Sequence, residues 1–296
     1  MVFSTIGFQI AADAAEAPRF VSINLCTDQL LMALADPAQI LGLSPYARDP
    51  ARSFDVKKAS QFPQLSGEAE DVLALRPDIV VAGRYTKRAT RELLKQKGVR
   101  VVEFEPARSL SDVKQQLYQM GELVGHPDRA TAEIDRLDAA MARARRVASQ
   151  KLYRVLAVSR RGWVAGADNL TTSLLTAVGL SNAGGELGLK AGGYASLEAI
   201  VALKPDFILV SDDGTFAEDE GRAFLLHPAL ERFYPAARRI VIPERLTICG
   251  GPMLAEALDR MASELDRVAS RPVASGPEPA ASKTEPVASK IEPADH

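Results

Sequence analysis

Apolar residues along the chain arrive in two rhythms. Phe20-Val21-Ser22-Ile23, Ile40-Leu41-Gly42-Leu43, Ile79-Val80-Val81-Ala82 and Val99 to Phe104 are short apolar runs. The helical patterns Thr27 to Ala35 and Thr90 to Lys97 lie between them, the second ending at Gly98. Strands alternating with helices at this spacing predict βαβ units and a mostly parallel sheet. The rhythm then changes. Leu110 to Val124 and Asp128 to Val147 hold helical periodicity with only Gly125-His126-Pro127 between them, and Leu137, Met141 and Ala144 share one face. The strand–helix rhythm resumes at Arg154 to Ser159. It continues through the helix Leu170 to Val178 (capped by Asp168 or Asn169), the helix Glu198 to Leu203 and the strand Phe207 to Val210. Ala223 to Phe233 reads as helix or turn, Arg239 to Ile242 as strand, and Pro252 to Val268 as a closing helix with proline in its first turn.

One segment occurs twice. Glu70-Asp71-Val72-Leu73-Ala74-Leu75-Arg76-Pro77-Asp78-Ile79-Val80-Val81 returns as Glu198-Ala199-Ile200-Val201-Ala202-Leu203-Lys204-Pro205-Asp206-Phe207-Ile208-Leu209. Glutamate, apolar helix, basic-Pro-Asp turn and strand keep one register. The repeat predicts two similar α/β lobes, residues 18–107 and 151–269, joined by a helical spacer over 108–150. A spacer helix of this length reaches about 30 Å. Residues 1–17 read as a leader, apolar and then rich in alanine like the end of a secretory signal, though without its basic start. Residues 270–296 repeat Pro, Ala, Ser and Lys without aromatics and read as a disordered tail.

Composition narrows the class further. The 296 residues are 47% apolar and 25% charged with a net charge of −2, an ordinary globular mix without the basic excess of a nucleic-acid binder. No apolar stretch is long enough to span a bilayer. The chain lacks G-x-G-x-x-G, P-loop, H-E-x-x-H and G-x-S-x-G patterns, and Asp212-Asp213 reads as an exposed acidic turn. Enzymatic chemistry on such lobes, of a metallocluster or chelatase kind, is therefore the weaker expectation.

Three features together resemble one family. They are Ser22-Ile23-Asn24-Leu25-Cys26-Thr27-Asp28-Gln29-Leu30-Leu31, then Gly42-Leu43-Ser44-Pro45-Tyr46, and the two Leu-(Arg/Lys)-Pro-Asp units. Over roughly Arg19 to Val268 the chain resembles the periplasmic substrate-binding proteins that serve ferric-siderophore, haem and cobalamin ABC importers, most of all the cobalamin-binding members. The resemblance implies an α/β fold of two Rossmann-like lobes joined by a long rigid α-helix, the class III architecture, with a shallow cleft between the lobes. It implies a monomer located in the periplasm, with a metal chelate (ferric siderophore or cobalamin) as ligand, no resident cofactor and no catalysis. The implied partner is an ABC permease of the inner membrane, and Glu70 and Glu198, one per lobe, would dock into its arginine pockets. Each glutamate also opens a helix in the duplicated segment, where the helix dipole favours a carboxylate.

Ligands of open α/β lobes collect at the carboxyl ends of strands. That rule selects Asn24, Cys26 and Thr27 after the first strand, Tyr46 and Arg48 after the second, and Arg84 and Tyr85 after the strand at Val81. In the second lobe it selects Arg161 and Trp163, then Arg245 and Cys249, with Tyr194 on a glycine-rich loop before the Glu198 helix. Aromatic faces suit a macrocycle or catechol and arginines an anionic chelate. The resemblance singles out Tyr46 and Trp163 as cleft-lining positions. Cys26 and Cys249, the two cysteines, fall in cleft-side loops of different lobes, and a disulfide, a soft-metal thiolate pair and inert thiols all remain open. Haem ranks behind the other chelates. His126, His227 and His296 are poorly placed as axial ligands, which leaves Tyr46, Tyr85 or Tyr194.

Overall fold

The computed structural model describes residues 17–148, 152–211 and 220–269; the leader up to Glu16, Asp212-Asp213 and the tail from Ser270 lie outside the described residues. In chain order the first lobe is β1 (Phe20–Ser22), α1 (Leu25–Leu34), β2 (Ile40–Gly42), α2 (Val56–Ala59), α3 (Ala69–Ala74), β3 (Ile79–Gly83), α4 (Arg88–Gln96) and β4 (Arg100–Phe104). Next come α5 (Leu110–Val124) and α6 (Pro127–Ala148). The second lobe runs through β5 (Arg154–Val158), β6 (Trp163–Ala165), α7 (Leu170–Ala177), β7 (Ser181–Asn182), β8 (Gly192–Tyr194), α8 (Leu197–Leu203), β9 (Phe207–Val210), α9 (Glu220–Leu225), α10 (Pro228–Phe233), β10 (Arg239–Val241) and α11 (Leu254–Ala269).

The first sheet has the order β2-β1-β3-β4 and is parallel throughout. Its central strands, Phe20-Val21-Ser22 and Ile79 to Ala82, are buried, as expected of strands covered on both faces. The second sheet, β10-β9-β5-β6-β8 with β7 also on β5, is parallel from β10 to β5 and antiparallel from β5 through β6 to β8. That antiparallel extension departs from the expected strand–helix alternation. Tight turns cause it: Arg161 and Gly162 both take positive φ, so the chain reverses at the end of β5 and returns as β6. The closing helix begins at Leu254, two residues after Pro252.

The duplicated segment is duplicated in three dimensions too. Glu70 and Glu198 each occupy the second position of their helices, after Glu68 and Ser196 at the N-cap. Arg76 and Lys204 both adopt left-handed backbone, with φ 48° and 50°. The aspartate two residues on then clamps the first strand of its own lobe. Asp78 Oδ2 accepts from the Arg19 amide at 2.8 Å and Asp206 Oδ2 from the Arg154 amide at 2.8 Å.

Helix α5 starts with a capping box between Ser109 and Asp112 and stops at Gly125, left-handed at φ 82°. Helix α6, at 22 residues, is about 33 Å long. It buries Leu137 and the small residues Ala130, Ala140, Ala144 and Ala148, and packs extensively on α11. Arg143 makes a two-pronged bond to Asp259 of α11 at 2.8 Å each. One apolar core runs from Phe20, Leu30 and Leu117 of the first half through Leu137 and Ala144 to Val155, Leu209 and Leu258 of the second.

Candidate functional site

The carboxyl ends of β1, β3 and β4 open on one side of the first lobe. Asn24 leaves β1 and caps α1, its side-chain oxygen accepting from the amides of Cys26 (2.9 Å) and Thr27 (3.4 Å). Thr27 is fully buried, and its hydroxyl bonds the Ser22 hydroxyl (2.8 Å) and the Asn24 carbonyl (3.0 Å). Gly83 ends β3 against the same cap: a Cβ there would sit 2.7 Å from the Asn24 amide nitrogen, so only glycine lets β3 approach it.

From the second lobe, the segment after β10 crosses to this surface. Cys249 is joined to Cys26 by a disulfide (Cα–Cα 5.2 Å), which settles the three fates left open for the cysteines and removes the thiolate one. Gly250 packs on the first lobe so closely that a Cβ would fall 2.7 Å from both Ala107 Cβ and Val113 Cγ2. The disulfide and this strap form one wall of a cavity of about 240 Å³, whose other walls include Asn24, Thr27, Arg84, Tyr85, Phe104, Glu105 and Gln116. A second cavity of about 260 Å³ shares Asn24 and Tyr85 with it and adds Pro45, Tyr46, Ser66 and Lys87. Tyr85 therefore stands between the two, 79% exposed, with Tyr46 49% exposed beside it.

The cations here are already matched. Arg84 holds Glu105 at 2.5 Å, and the bond raises the guanidinium above its ordinary range; Lys87 bonds Glu68 with the same effect on its ammonium. Arg48 donates to the Phe62 carbonyl at 2.6 Å and braces its own loop.

Of the positions selected by sequence, Asn24, Cys26, Thr27, Tyr46, Arg84, Tyr85 and Cys249 meet around these cavities. The others line neither of them. Trp163 is half-buried in β6 with its ring over Gly192, and Tyr194 is its partner residue on β8, 73% exposed. The pair forms one aromatic patch on the second lobe, since opposed residues of antiparallel strands project to the same face. Arg161 is exposed on the β5–β6 turn, and Arg245 is half-buried in the turn after β10. Phe104, Glu105, Lys87 and Gln116 were not anticipated. The strand-end rule applied to β4 would have found Glu105, whereas Gln116 comes from the face of α5 and carries no local signal. Glu70 and Glu198 are both exposed, and hydrogen bonds from its own amide and from the Ser196 hydroxyl hold the Glu198 carboxyl below its usual range.

Two α/β lobes, a long helical connection and a cleft at strand ends define a bilobal binding protein of the class III type. Residues 21–242, three quarters of the chain, match the periplasmic binding protein family, and the chain belongs to it. A cobalamin-binding protein of Halobacterium salinarum is 24% identical over 258 residues, 84% of this chain and 69% of that one. An uncharacterized ABC transporter substrate-binding lipoprotein of Bacillus subtilis, YvrC, is 23% identical over 213 residues, 67% of this chain and 64% of that one. Among solved structures, a periplasmic haem-binding protein of Pseudomonas aeruginosa superposes with a TM-score of 0.69 at 25% identity, covering 84% of this chain and 92% of that one. These relatives are binding proteins, named for cobalamin in one case and for haem in another.

Proposed function

We propose that this chain is the substrate-binding subunit of an ABC importer, that it captures a metal chelate between its lobes, and that it catalyses nothing. The observation that carries the reading is Tyr85, an exposed aromatic shared by two cavities, the first walled by both lobes and the second by the first lobe. A flat phenol at that point suits a macrocycle or an aromatic chelate. Because Arg84 and Lys87 are neutralised by Glu105 and Glu68, the first-lobe wall favours a neutral, amide-decorated corrinoid over a polyanionic ferric siderophore. Delivery would be to an inner-membrane permease that receives Glu70 and Glu198. The disulfide agrees with an oxidising compartment such as the periplasm, and the chain would act as a monomer.

Haem is the second reading, favoured by the exposed hydroxyl-bearing rings of Tyr46, Tyr85 and Tyr194, any of which could supply an axial oxygen. The imidazoles of the described residues are engaged elsewhere: His126 bonds Asp36 at 3.0 Å and His227 caps α10. Calorimetric titration with cyanocobalamin, a ferric tricatecholate, a ferric hydroxamate and haemin discriminates these. Micromolar or tighter binding of cyanocobalamin alone is the expected result. Preference for the tricatecholate would overturn the corrinoid choice, and silence from all four would sink the chelate reading.

A further inference from the structure

Among the buried described residues, Asp28 is the one carboxylate or basic side chain, with no exposed surface at all. It lies in the first turn of α1, directly behind the cleft wall formed by Asn24 and Thr27. Its two oxygens are committed to the loop after β2: Oδ1 accepts from the Ser44 amide at 3.1 Å and Oδ2 is 2.5 Å from the Ser44 hydroxyl. Ser44 in turn accepts from the Tyr46 amide at 3.3 Å. A relay therefore runs from a buried charge through one hydroxyl to the backbone of Tyr46, a wall of the second cavity.

We propose that Asp28 is a positioning residue of the ligand site, which through Ser44 holds the Pro45-Tyr46 turn in the arrangement that presents Tyr46 to the cleft. The idea rests on the reading of that cleft as the ligand site. Burying a carboxylate without a cation costs stability, and here both its oxygens are spent on the loop that carries Tyr46. The ionised form makes the relay directional, because Ser44 then donates to Asp28 and keeps its lone pairs for Tyr46. Protonated, Asp28 can donate to Ser44 instead, and the polarity of the chain is lost.

Burial pushes the Asp28 carboxyl up to about 7, against the lowering pull of Ser22 and Ser44. The groups that face it are hydroxyls and an amide. The other elements packed on α1 bring β3, which has no titratable residue, and the buried apolar face Val113, Leu117 and Met120 of α5. The relay therefore weakens as pH falls through 7.

The test compares the full chain with Asp28→Asn, which keeps the shape and removes the charge, and with Ser44→Ala, which cuts the relay and leaves the charge. Amide hydrogen exchange of residues 44–48, corrected for its intrinsic pH dependence, reads the turn without any ligand. Both variants should exchange about ten-fold faster at pH 8, the worth of one charge-assisted hydrogen bond. Wild-type protection should rise through pH 7 while that of Asp28→Asn stays flat. The melting temperature of Asp28→Asn at pH 8 should equal or exceed the wild-type value, which a merely structural carboxylate would not give. Affinity for cyanocobalamin, or for whichever of the four chelates the wild type binds, should fall about ten-fold in both variants. Unchanged exchange in Asp28→Asn overturns the proposal, as does faster exchange with full chelate affinity. If the wild type binds no chelate, the functional reading fails, and the exchange profiles still decide whether Asp28 sets the turn.

Discussion

Single side chains carry the sharpest expectations. Tyr85→Ala removes the ring shared by both cavities, and chelate affinity should drop by roughly 2 kcal/mol, about thirty-fold, in calorimetry while the melting temperature holds, since the residue is 79% exposed. Gly250→Ala should do the reverse and cost roughly 1–3 kcal/mol of stability in denaturant unfolding, because its methyl group meets Ala107 and Val113. Asp28 gives the fold a pH dependence with a defined sign. Its folded-state value near 7 lies above the unfolded one near 4, so between them the folded chain binds a proton that the unfolded chain does not. Its contribution is therefore present in acid and is lost as pH rises from about 4 to 7, on the order of 4 kcal/mol. Unfolding at a series of pH values checks it: the slope should be shallower in Asp28→Asn than in the wild type, since Glu244, also raised by burial, titrates in both. Much of this was legible in sequence: Asn24, Tyr46, Arg84 and Tyr85 follow strands, and strand ends are where such loops gather. The pairing of Arg84 with Glu105 was not, because nothing in the chain says that a cation selected for an anionic ligand already has an internal partner.

At the scale of elements, the repeat was the most informative signal. Helix, left-handed basic residue, proline and clamping aspartate return in the second lobe with φ values two degrees apart and matched hydrogen bonds. Such agreement follows from local chemistry, since the turn and the strand clamp are encoded within a dozen residues. Glu70 and Glu198 inherit equivalent stations from it. Replacing either by alanine should leave chelate affinity unchanged and reduce uptake through the permease about ten-fold or more, measured in reconstituted vesicles. The β6–β8 ribbon was illegible for the opposite reason. Its strands are three residues long and separated by a helix and a glycine-rich stretch, so neither periodicity nor spacing announces that Trp163 and Tyr194 are neighbours.

Across the whole molecule, the apolar core runs unbroken through α5, α6 and α11, and the Gly250 strap and the disulfide tie the lobes on the cleft side. Ligand should therefore change the radius of gyration little in solution scattering; a large contraction would mean that the strap yields. Reduction, or Cys26→Ser with Cys249→Ser, should lower the melting temperature, as the cross-link spans 223 residues and is worth about 5 kcal/mol by loop closure. The same span has a consequence for biogenesis. Cys26 is synthesised 223 residues ahead of Cys249, and these 296 residues hold no third cysteine to trap either one. Docking of β10 carries Cys249 onto the opposite lobe and holds it 5.2 Å from Cys26, Cα to Cα, where the bond closes readily. Oxidation of this pair thus marks the docking of the two lobes, and a full chain whose lobes have not docked stays chemically distinguishable by its two open thiols.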